Sequence, residues 1–110
     1  MKQQTTGVEK MKSITARQVF RRFSGINALC NTLSVRHGIK IGAEKSENPE
    51  NSRDNALIIS FEFTDGSENH FLTARDTLID SLSLKNLTLE HECNGDGEDG
   101  SVIAYRVMTA

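Results

Sequence analysis

The stretch ALIISFEFTDG, residues 56–66, decides the fold. Its apolar groups alternate: Leu57, Ile59, Phe61 and Phe63 point one way, and Ser60, Glu62 and Thr64 the other. A period of two is the signature of a strand with one buried face. Asp65-Gly66 then signals a hairpin, which predicts a second strand over Glu68–Leu72. Thr73 with Asp76 predicts the cap of a short helix, Ala74–Leu82, whose buried stripe is Leu78, Ile79 and Leu82.

Further along, alternation returns. Leu87, Leu89, His91 and Cys93 share one face of a strand over Leu87–Cys93, opposite Thr88, Glu90 and Glu92. NGDGEDG, residues 94–100, reads as a flexible turn. The last strand, Ser101–Met108, carries apolar groups on both faces: Val102 and Met108 on one, Ile103, Tyr105 and Val107 on the other. Such a strand belongs in the interior of a sheet or at a partner interface.

Towards the N-terminus the period lengthens. Val19, Phe23, Ile26, Cys30 and Leu33 lie on one stripe of a long helix over Ala16–His37, with Phe20 and Leu29 beside it. Thr15 and Gln18 suit its capping box, and Gly38 suits a left-handed stop after Arg36 and His37. Gly25 is its weak point, and a break at Ser24-Gly25 is the alternative. Residues 1–12 are polar, without periodicity, and read as a flexible arm. Residues 41–55, with Pro49 among Asn, Ser and Glu, read as a polar loop.

The expectation is one α+β domain over residues 13–110. It is a four-stranded antiparallel sheet packed by one long N-terminal helix and one short helix, in the order α-β-β-α-β-β. At 110 residues the chain is long enough for a single core. No apolar run reaches the ~18 residues of a membrane helix, and the polar start MKQQTTGVEKMKS is no secretory signal. A cytoplasmic protein without membrane contact is the expectation.

Site chemistry is sparse. Cys30 lies on the apolar stripe and Cys93 at a strand end, so neither points to a disulfide in this context. His91 and Cys93, two apart on a strand, would share a face and supply two zinc ligands, but no CxxC or HxxxH pair completes a set. The acidic run from Asn94 fails as an EF-hand, because Asp99 and Tyr105 stand where glycine and glutamate are needed. No nucleophile elbow, phosphate loop or HExxH motif is present, and nothing converges on His70 with Glu68 or Asp65. The reading is of a protein that is not an enzyme and takes no metal or cofactor.

Charge is the informative feature. Residues 1–45 carry nine basic groups and two acids, net +7, and residues 46–110 carry four basic groups and thirteen acids, net −9. At 100° per residue, Arg17 and Arg21 fall on the solvent side of the long helix, with Arg22 at the edge of its apolar arc. Cations in the first turns oppose the helix dipole, so an anionic partner offsets their cost. The expected partner-binding residues are Arg17, Arg21, Arg22, Lys10 and Lys12. The chain thus reads as a small protein-binding regulator, inhibitor or adaptor, with homodimerisation included among its contacts. The alternative is a nucleic-acid-binding protein that sets the same basic arm and helix against phosphates. Against it stand the six aromatics, most of them core-like, which leave no stacking platform.

Overall fold

The computed structural model describes residues 19–46 and 56–110. In chain order these form α1 (Phe23–His37), β1 (Lys40–Ser46), β2 (Ala56–Phe63), α2 (Glu68–Ser83), β3 (Leu87–Gly97) and β4 (Gly100–Thr109). The order is α-β-β-α-β-β, and the strands make one antiparallel sheet arranged β1-β2-β4-β3.

The alternation in β2 does what it predicts. Leu57, Ile59 and Phe61 are fully buried and Phe63 nearly so, while Ile58, Ser60 and Glu62 face the other way, half-buried. Both helices pack on the Leu57–Phe63 side. Ile26, Cys30 and Leu33 of α1, and Phe71, Ala74, Leu78 and Leu82 of α2, close the core over it. Each fully buried Leu, Ile or Phe contributes about 2 kcal/mol of transfer free energy. Aromatic edges organise the centre: Phe61 meets Phe71 at 5.2 Å and Tyr105 at 5.7 Å between ring centroids, both edge to face.

The long helix is divided. Val19–Arg21 form a helical turn, the chain breaks at Arg22 (φ −95°, ψ 4°), and α1 continues from Phe23. The break comes just before Ser24-Gly25, and Gly25 itself stays helical. The predicted helix start at Ala16, its cap at Thr15 and the arm 1–12 lie outside the described residues. The stop is as predicted: Gly38 is left-handed at φ 67°, and its N–H donates to the Ser34 carbonyl at 2.9 Å.

Three segments differ from the sequence reading, and one of them is Asn94–Gly97, expected in the turn 94–100 but paired with Gly100–Ile103 as the end of β3, because the register continues past the bulge after His91. Residues 40–46, the front of the expected polar loop 41–55, form edge strand β1, with Ile41 opposite Phe61 and Ala43 opposite Ile59; residues 47–55 lie outside the description. Residues 68–72, expected as a strand, are the first turn of α2. The Asp65-Gly66 turn is real, with Ser67 N–H donating to the Thr64 carbonyl at 3.0 Å and Gly66 at φ 93°. It leads into a helix because Phe71, Ala74, Leu78 and Leu82 recur at helical spacing, and that longer stripe outweighs two alternating residues. Thr73 caps nothing; its hydroxyl donates back to the Asn69 carbonyl at 2.9 Å within the helix.

Strand β4 lies inside the sheet, between β2 and β3. Ile103, Tyr105 and Val107 face the helices. Val102, Ala104 and Met108 face the other side with Ile58, where no described element packs.

Candidate functional site

The register gives the molecule two ends. β1 runs from Lys40, opposite Glu62, to Ser46, opposite Ala56. α1 finishes beside the start of β1, so its own N-terminus lies at the far end, about 20 Å away at the usual strand rise. α2 starts beside the end of β2 and finishes beside the start of β3, which pairs with the end of β4.

At the far end three elements bring cations together. Arg21 and Arg22 stand exposed at the break before α1. Lys45, at the end of β1, holds its ammonium 5.0 Å from the Phe23 ring centroid and 5.7 Å from that of Phe20. Lys85 arrives from the turn after α2. A methyl group on Gly25 would sit 3.8 Å from its Nζ, which places that ammonium within one helical turn of Arg21 and Arg22. The turn is shaped by Asn86, left-handed at φ 58°, a conformation asparagine tolerates better than most residues. α1 has no acid in its first turn. Among the described residues, none of these four cations meets a carboxylate.

Two of the expected binding residues, Arg21 and Arg22, therefore lie in this patch. Arg17, Lys10 and Lys12 lie outside the described residues. The sequence alone does not single out Lys45 and Lys85: Lys45 falls within the polar stretch 41–55, and Lys85 in the acidic part of the chain.

The opposite end is acidic and internally braced. Lys40 pairs with Asp99 and lies 3.8 Å from Glu62, whose Oε2 accepts the Asp99 N–H at 3.0 Å. The hydrogen bond that Lys40 donates to the Asp99 carboxylate first, and the charge of that carboxylate second, push the Lys40 pKa up. This ties the β3–β4 tip, Glu98-Asp99, to the sheet. Two glycines make the approach feasible. A side chain at Gly97 would meet the Glu62 carboxylate at 2.2 Å, and one at Gly100, φ 147°, would meet the Phe63 carbonyl at 2.2 Å.

Among the described residues, His70 and His91 meet no acid or nucleophile. His70 is exposed in the first turn of α2. His91 bonds to Asn94 Oδ1 at 2.6 Å and stands edge-on to Tyr105. A β-bulge between His91 and Cys93 pairs them with adjacent residues of β4, Tyr105 and Ala104, so they take opposite faces and the expected shared face is lost. Cys93 is exposed, whereas burial pushes the Cys30 thiol up to about 11. Among the described residues, no helix is long and apolar enough to cross a membrane, and no three potential ligands gather round a metal position.

What the cation patch is equipped to do is hold an anionic surface. Compared with known protein families, curated proteins and solved structures, the chain matches none.

Proposed function

We propose that this chain is a non-catalytic regulator, inhibitor or adaptor that binds another protein by setting Arg21, Arg22, Lys45 and Lys85 against an acidic surface. The observation that carries the reading is their convergence from three separate elements onto one end of the sheet. A protein partner is favoured over a nucleic acid on two counts. The aromatic rings at the patch, Phe20 and Phe23, are half-buried and lie under Lys45, so they offer no stacking platform. The braced acidic end stands about 20 Å away and repels any phosphate backbone that runs on past the patch.

Affinity purification with the full chain, with and without nuclease, tests the reading. A partner protein retained after nuclease, and lost when Arg21, Arg22 and Lys85 are changed to Glu together, is the expected result. Recovery only through nucleic acid, together with tight binding of mixed DNA or RNA at low salt, would overturn it in favour of phosphate contacts shared with Lys10, Lys12 and Arg17.

A further inference from the structure

A second surface lies at the acidic end, and the basic patch has no part in it. The β3–β4 hairpin runs on past Phe63, the last residue of β2, which pairs with Ser101. The overhang leaves a groove of about 490 Å³ between the hairpin and the first turns of α2. That volume falls within the range of about 300–1,000 Å³ typical of ligand pockets.

The floor is apolar. Phe63 and Phe71 stack at 4.6 Å with their planes 7° apart. Ile103 is half-buried beside them, and Leu72, 40% exposed, stands at the lip as one of the few large apolar side chains left in solvent. The rim is acidic: Glu68 from α2 and Asp96 from β3 face the same opening, and among the described residues no basic one lines it. Both carboxylates are exposed. An occupant that matches this lining is apolar at its centre and positive at its edges. An anionic or purely hydrophobic ligand would leave two carboxylates facing like charge or dry surface.

We propose that this groove docks a segment of a partner protein in which one or two large apolar side chains are flanked by lysine or arginine. The apolar side chains cover Phe71, Leu72 and Ile103, and the flanking cations meet Glu68 and Asp96. The site is separate from the basic patch, so it stands or falls independently of the function proposed above.

The test uses the full chain and two fluorescent synthetic peptides with the same Leu-Phe centre, one flanked by lysines and one by glutamates. The lysine-flanked peptide should bind, more weakly as salt rises, and the glutamate-flanked one should not. Changing Glu68 and Asp96 together to Lys should weaken binding at least tenfold. Leu72→Ser, which leaves the charge untouched, should weaken it several-fold. Asp80→Lys, remote on α2, and Arg21→Glu with Arg22→Glu should leave it unchanged. Retained protection of Cys30 from alkylation shows that each variant is folded. Equal binding of both peptides, no effect of Leu72→Ser, or an equal loss from Asp80→Lys would overturn the proposal. So would sedimentation showing that Leu72→Ser dissolves a self-associated species, because the occupant would then be a second copy.

Discussion

The two ends of the sheet treat charge in opposite ways. At the basic end Arg21, Arg22, Lys45 and Lys85 come from separate elements, and among the described residues none meets a carboxylate. At the acidic end Glu62 and Asp99 close on Lys40 and on a backbone N–H. Charges with an internal task are paired and hold a hairpin in place. The exposed cations at the basic end brace no hairpin among the described residues, although Lys45 rests on the Phe20 and Phe23 rings. The same contrast separates the acids among themselves, because Glu68 and Asp96 rim a groove while Glu62 braces a tip.

That contrast can be broken. The largest expected effect is from Gly100→Ala, which forces a side chain into the left-handed region and against the Phe63 carbonyl. We expect a loss of about 3 kcal/mol in urea unfolding, with the acidic end the first to loosen in hydrogen exchange. Next comes the basic end. Reversing Arg21, Arg22 and Lys85 to Glu should lower partner affinity by at least tenfold, mainly through the association rate measured at low salt. The unfolding midpoint should stay within about 0.5 kcal/mol of the parent, as for exposed surface positions.

Alkaline pH sharpens the comparison further. The Cys30 thiol is held neutral in the folded protein up to about 11, against 9.0 in the unfolded chain. The unfolded state therefore sheds its proton first, so stability is full below about pH 9 and declines from there towards 11. Lys40 works in the same direction at higher pH: its raised pKa means its contribution is present below the ordinary lysine value and is lost as pH climbs through the folded one. Urea midpoints between pH 8 and 11 should fall, and Cys30→Ala should flatten the earlier part of the slope. The smallest effect is from Lys40→Met. We expect no resolved change in the global midpoint, only faster amide exchange at Asp99, whose N–H bonds to Glu62.

Much of the architecture was readable where burial imposes a clean period. The β2 alternation, the Val19–Leu33 stripe, the Gly38 stop, the Leu87–His91 part of β3 and β4 all follow from it, whereas the bulge after His91 and the pairing of Asn94–Gly97 do not. β1 was hidden because it is an edge strand: only Ile41 and Ala43 face the core, and Gly42, Glu44 and Ser46 look like loop residues. The start of α2 was hidden because Asp65-Gly66 makes the same turn before a helix as before a strand. Arg21 and Arg22 could be found by counting charge along one helix. Lys45 and Lys85 could not, because only chain reversal brings them to that helix. The groove was equally out of reach, since its walls meet across the whole second half of the chain.

The bulge in β3 leaves Glu92 without a ladder partner, while His91 still faces Tyr105 and Cys93 still faces Ala104. Removing that one residue preserves the pairing of every other position, yet straightens a strand that bulges normally bend. Below it the strand packs core; above it the strand carries Asp96 on the groove wall. Deleting Glu92 is therefore expected to change the aperture of the groove while both halves of the ladder keep their register.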